Sequence, residues 1–142
     1  MASAAPKTER LLKICVNHYK AHTCSDADFE KFMTTSHIQA AAGIIARHGI
    51  VKYAQYLTPL EARNIFAPDI TAMPPGWTLS PYDAQTQYYV RSADDLRGLL
   101  MDPEWHEKVG KVETEYTDVG DVMIMVGWET VYIEEGEVVN VP

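Results

Sequence analysis

The sequence predicts an α+β fold with the ferredoxin-like order βαββαβ, its open sheet face paired with a second copy in a dimeric α+β barrel. Three observations predict it. Segments with strand periodicity alternate with segments of helical periodicity, and right-handed crossovers turn that order into a four-stranded antiparallel sheet with helices on one face. The first and last strand segments, LLKICVNHYK and DVMIMVGWETVYI, are largely apolar on both faces, so the bare side of the sheet needs a partner. The chain has 142 residues, 46% of them hydrophobic, which is enough for one domain with a real core.

Each element has a local reason. Arg10 to Lys20 reads as a strand, with Leu12, Ile14, Val16 and His18 on one face and Lys13, Cys15, Asn17 and Tyr19 on the other. Ser25 is suited to cap a helix, and Asp26 and Asp28 suit its positive end. Phe29, Phe32, Met33, His37, Ala40, Ala41, Ile44, Ile45 and His48 then form one stripe at helical spacing. Gly49 closes the helix. Ile50 to Thr58 is a second strand, rich in Tyr and Gln, stopped by Pro59. A short helix from Leu60 to Phe66 follows. Ala67 to Asp83 contains Pro68, Pro74, Pro75, Gly76 and Pro81 and is expected to be a long loop that covers a pocket. Ala84 to Arg91 is a third strand. Ser92 caps a helix that runs to about His106 with a break near Pro103. Asp121 to Ile133 is the fourth strand, and Glu135-Gly136 turns the chain so that Glu137 to Val141 can return. Residues 1–9 are expected to be a disordered tail, and 10–142 a single domain.

Charge and composition exclude several functions. The net charge is −8, with 12 basic and 20 acidic residues and no basic cluster, so nucleic acid and anionic membrane surfaces are disfavoured as partners. No apolar run reaches the roughly 20 residues that span a bilayer. Two cysteines, Cys15 and Cys24, are too few for a disulfide framework and point to a reducing, cytoplasmic setting. The five histidines show no H-x-H or H-E-x-x-H spacing, so no metal site is expected. Glycine-rich phosphate loops and nucleophile elbows are absent as well.

The chemistry-bearing residues centre on MTTSHIQAAAGIIARHGIVKYAQY, Met33 to Tyr56. His37 places a ring that titrates near neutral pH on a helix face expected to be buried. It serves either as an acid/base or as a helix-end hydrogen-bonding group. His48 fits the helix C-terminal dipole. Asp83, at the mouth of the third strand, is either a partner for a histidine or a turn residue after Ser80-Pro81. Tyr53, Gln55, Tyr56, Gln87 and Tyr89 offer hydroxyl and amide groups if they face inward. His18 is expected at a strand end on the surface. Trp105 reads as packing, with His106 able to reach the pocket; both are carried as candidate substrate contacts.

These segments resemble the EthD-type members of the dimeric α+β barrel superfamily, and in particular small fungal lyases that act beside aromatic polyketide synthases. The resemblance is carried by LLKICVNHYK, SDADFEKFMTTSHIQAAAGIIARHGIVKYAQY, SPYDAQTQYYVRSADDL and VGWETVYIEEGEVV. The family's H-x-P corresponds to His37-Ile38-Gln39, with the proline lost. G-I-V-[KR]-Y matches Gly49 to Tyr53, and Y-D matches Tyr82-Asp83. The acid- and His-rich segment after the last helix reads VGKVETEYTD here, without a histidine. The resemblance implies a cofactor-free lyase that decarboxylates or dehydrates a polycyclic aromatic polyketide intermediate; among the catalytic candidates His37 is read as the acid/base, Asp83 as its orienter or partner, and Tyr53, with Tyr89, as hydrogen-bond donor, in a homodimer. A cofactor-free anthrone or quinol monooxygenase and a non-catalytic dimeric binding module are the alternatives within the same fold.

Overall fold

The computed structural model describes residues 10–142; the expected N-terminal tail lies outside the described residues. Four strands form one antiparallel sheet: β1 (Leu12–Lys20), β2 (Lys52–Leu57), β3 (Ala84–Val90) and β4 (Thr117–Trp128), in the spatial order β2-β3-β1-β4. This is the ferredoxin-like α+β arrangement.

Between β1 and β2 the chain runs as α1 (Asp26–Phe32), a π-helical turn (Met33–His37) and α2 (Ile38–Arg47). Ser25 caps α1 by accepting the Asp28 N–H at 3.1 Å. Gly49 follows α2 with φ +77°, a conformation that a side chain would strain. After β3, α4 (Ala93–Leu100) is capped by Ser92. The chain then continues through α5 (Pro103–Trp105), a second π turn (His106–Gly110) and α6 (Lys111–Glu113). Asp102 caps α5 and also bonds His48 Nε2 at 2.6 Å, so His48 ties the end of α2 to this turn.

The main core lies between the helices and the sheet. It contains Ile14, Ala41, Ile44, Ile45, Tyr88, Val90, Leu96, Leu99, Trp105 and Val109. A second cluster of Phe29, Phe32, Met33 and Ala84 fills the opposite end of the same layer. Trp105 is therefore a core residue.

Three expectations are corrected. The helix after β2, α3 (Leu60–Ile70), extends past Phe66 and includes Pro68 in its last turn. None of its residues is buried, so water can satisfy the carbonyl that the proline leaves without a donor. The connecting loop is shorter accordingly. The fourth strand starts earlier than expected, at Thr117, and ends at Trp128. Ile133 belongs instead to a separate hairpin of β5 (Ile133–Glu134) and β6 (Glu137–Val138).

Antiparallel register decides which side chains share a face. Ile14 lies opposite Tyr88 and Val126, Val16 opposite Thr86 and Ile124, and Tyr53 and Gln55 opposite Tyr88 and Thr86. These face the helices. Lys13, Cys15, Asn17, Gln85, Gln87, Tyr89, Tyr56 and Met125 face the open side. Val122, Met123, Ile124, Met125 and Val126 on β4 are all exposed, on both of its faces. No helix among the described residues is long and apolar enough to cross a membrane.

Candidate active site

The π turn at Met33–His37 sets the site. A π turn adds a residue to the helical repeat and so rotates the side chains that follow it. Here the Met33 carbonyl accepts the Gln55 side-chain amide at 3.0 Å, which ties the turn to β2. His37, at the end of the turn, is 4% exposed and points into the layer between helix and sheet. Its ring lies 5.4 Å from that of Phe32.

Glu113, the last residue of α6, meets it there. His37 Nδ1 and Glu113 Oε1 are 3.6 Å apart, with side-chain exposures of 2% and 25%. Removing both groups from water disfavours their charged forms. Burial, helped by the nearby His18, pushes His37 down to about 4. Burial pushes the Glu113 carboxyl up to about 7. Near neutral pH the pair therefore consists of an unprotonated imidazole beside a carboxyl able to hold a proton.

Tyrosines and a second histidine complete the cluster. Tyr53 and Tyr88 pack with ring centroids 5.1 Å apart. Tyr53 is pushed up to about 12 by burial above all, with the Glu113 charge adding and the Gln55 amide opposing. The Tyr88 hydroxyl is raised as well, by burial and by its neighbours Tyr53 and Glu113. Both remain O–H donors. Gln55 Nε2 lies 3.5 Å from the Tyr53 hydroxyl. His18 Nε2 is 3.3 Å from Thr86 Oγ1, and burial lowers its pKa. His18 is thus an inner residue of the sheet and not a surface one.

The structure brings together His37, Tyr53 and Gln55 of the expected residues. It separates the others. Asp83 does not partner His37: its carboxylate accepts the Arg63 guanidinium at 2.7 Å and the Lys20 N–H at 2.9 Å. Tyr56, Gln87 and Tyr89 lie on the open face, because residues one apart on a strand point to opposite sides. There Gln87 donates to Gln85, Gln85 donates to Asn17, and Tyr89 donates to Glu129, which Lys13 also contacts. His106 is exposed and Trp105 is buried in the core, so neither meets His37. The residues that sequence reasoning missed are Glu113 and Tyr88, and it expected His18 on the surface. His18 had a signal, since it continues the Leu12-Ile14-Val16 face. Glu113 lies in VGKVETEYTD, the segment expected to be acid-rich, but nothing local marks it out from Glu115.

Among the described residues no group of three or more His, Cys, Asp or Glu side chains is arranged to hold a metal ion. The cluster can hold and move protons and can donate hydrogen bonds to a developing oxyanion.

Comparison with known proteins agrees with this architecture. An oxygenase-named protein of Aspergillus terreus is 31% identical over 134 residues, covering 94% of this chain and 83% of its own. The dehydratase iacD of Pestalotiopsis fici is 28% identical over 134 residues, with 94% and 96% covered. The conidial pigment biosynthesis dehydratase EthD of Metarhizium robertsii is 24% identical over 141 residues, with 96% and 95% covered. Among solved structures, a dimeric ferredoxin-like protein of Bacteroides fragilis superposes with a TM-score of 0.52 at 16% identity, covering 84% of this chain and 96% of its own. An EthD family protein of Bacillus halodurans gives 0.51 at 13% identity, with 84% and 99% covered. Residues 21–120 match the EthD domain, and the chain belongs to the EthD domain family.

Proposed function

We propose that this protein is a lyase that dehydrates a polycyclic aromatic polyketide intermediate, using His37 as base and Glu113 as proton donor. The observation that carries this is the 3.6 Å contact between an imidazole held unprotonated and a carboxyl held protonatable. Dehydration next to a ketone needs both. Nδ1 of His37 faces Glu113, which leaves Nε2 to take the acidic C–H proton. The electron pair of that bond moves to the ketone oxygen as an enolate, and its return forms the new C=C as the C–O bond to the hydroxyl breaks. Glu113 protonates the departing hydroxyl, and water leaves. The Nδ1 proton of His37 then passes to Glu113 across their contact, and proton exchange with water returns the ring to the tautomer with Nε2 free. Tyr53 and Tyr88 donate to the ketone oxygen as it takes up negative charge. Contacts of this kind are often long before substrate binds. The dehydratase names of the relatives from Pestalotiopsis fici and Metarhizium robertsii support the reaction class.

The protein also acts as a homodimer through its open sheet face in this proposal. The exposed apolar side chains of β4 and the dimeric description of the Bacteroides fragilis protein support it. The Aspergillus terreus relative favours a second reading, a cofactor-free oxygenase using the same residues. Mass-resolved assay of a β-hydroxy tricyclic polyketide ketone and its carboxylated form, with oxygen uptake recorded, tests these readings. Loss of water without oxygen uptake is the expected result. Loss of carbon dioxide alone moves the chain to decarboxylation, and stoichiometric oxygen uptake moves it to the oxygenase.

A further inference from the structure

A cleft lies away from His37, where α3 and the 71–83 segment fold over one end of the sheet. Its volume is about 420 Å³, within the usual range for a small-molecule site. Leu57 and Leu79 give it an apolar lining, and the rings of Tyr56, Phe66 and Tyr82 border it. Asn17 and Gln85 bring amide groups from the open face. Among the described residues Arg63 is the one charged residue in the lining, and the Asp83 carboxylate beside the cleft pairs with it.

The roof of this cleft is loosely held. α3 has 11 residues and buries none of them. Tyr56 is 59% and Phe66 50% exposed, so two large rings beside the cleft are left without full packing. Arg63 fastens the roof: its Nε donates to the Thr58 carbonyl at 2.8 Å and its Nη2 to Asp83 at 2.7 Å. Thr58 in turn donates to the Tyr82 carbonyl at 2.6 Å. A helix with no core of its own, pinned over an apolar hollow, gains its packing when the hollow is filled.

We propose that this cleft binds a neutral planar hydroxylated aromatic molecule between Phe66 and Tyr56 and under the Arg63 latch. The rings supply stacking faces for a flat ligand. Asn17, whose Oδ1 accepts from Gln85, keeps its side-chain N–H groups for phenol or quinone oxygens, and the pairing of Arg63 with Asp83 leaves the lining without net charge, which favours a neutral ligand. Leu57 and Ala84 separate the cleft from the cluster around Phe32, so binding here requires nothing of His37.

The test is titration of the full chain with 1,8-dihydroxyanthraquinone by calorimetry, paired with hydrogen exchange. Phe66→Ala removes a ring and Ala62→Trp fills the hollow. Both positions are exposed on a helix that buries nothing, so both variants keep the wild-type fold by circular dichroism. The expected result is binding at least tenfold weaker in each variant, with ligand protection over residues 56–66 and 79–85 of the wild type. Unchanged affinity in both variants overturns the proposal. So does protection confined to Met33–His37 and Glu113, which assigns the ligand to the buried cluster, or a shift of Phe66→Ala to monomer with affinity retained, which makes this surface a contact between copies.

Discussion

His37 Nδ1 lies 3.6 Å from Glu113 Oε1, in a layer where neither group is readily charged. The contact joins the π turn of the first helical segment to the end of the last helix, 76 positions apart by subtraction of the residue numbers. Each residue alone would be an ordinary core histidine or a helix-end carboxylate. Together they form a proton-transfer pair.

Replacing either member removes a general acid or base, which typically contributes about 10² to 10⁴ in rate. His37→Gln and Glu113→Gln should each lower turnover by that order while circular dichroism stays unchanged. A folded His37→Gln enzyme that keeps half the wild-type kcat would make His37 structural.

The same two groups set opposite pH dependences of stability. His37 falls from 6.5 to about 4, so the unfolded chain binds more protons in that window and stability is lost as pH falls through it. Glu113 rises from 4.5 to about 7, so the folded chain binds more protons and stability is lost as pH rises from 4.5 to 7. Glu113→Gln should therefore stabilise the protein at pH 8, by about 1–3 kcal/mol, and give no gain at pH 4.5. Urea unfolding at the two pH values checks this. An equal effect at both would show that Glu113 titrates normally.

The exposed apolar side chains of β4 predict a dimer. Met125, 65% exposed and opposite Cys15 on the open face, should sit within the interface. Met125→Asp would bury an uncompensated carboxylate at a cost of several kcal/mol, raising the dimer Kd by about 10² or more. Sedimentation velocity at micromolar concentration should show dimer for the wild type and monomer for the variant. A monomeric wild type would refute the dimer.

Arg63 should control the mobility of α3. In Arg63→Ala the helix loses its ties to Thr58 and Asp83. Amide exchange over 60–70 should quicken, while β1 and β3 keep their protection. Unchanged exchange in α3 would mean that other contacts hold it.

The sequence carried the fold because its strands and helices are each locally consistent. Ser25 and Ser92 cap helices as their positions suggested, and Gly49 adopts its positive φ after α2. His37 was legible as a titratable ring on an apolar stripe. Its partner was not, because Glu113 reaches it only through tertiary packing of a helix far along the chain. Asp83 had an equally good signal and is held by Arg63 instead. Tyr and Gln density on β2 and β3 was legible, but not its division between faces, since a single residue of register decides which side Tyr53 or Tyr56 takes. α3 was misjudged at Pro68 because the rule that proline ends a helix weakens in an exposed last turn.

The most direct test of the central claim is the pH profile of kcat/KM for anaerobic dehydration, wild type against Glu113→Gln. A base free above about 4 and an acid protonated below about 7 predict a bell with limbs near those values. The variant should retain the acid limb, lose the alkaline one and run at a lower plateau. An alkaline limb that survives unchanged in Glu113→Gln, or no turnover of the wild type without oxygen, would contradict the account.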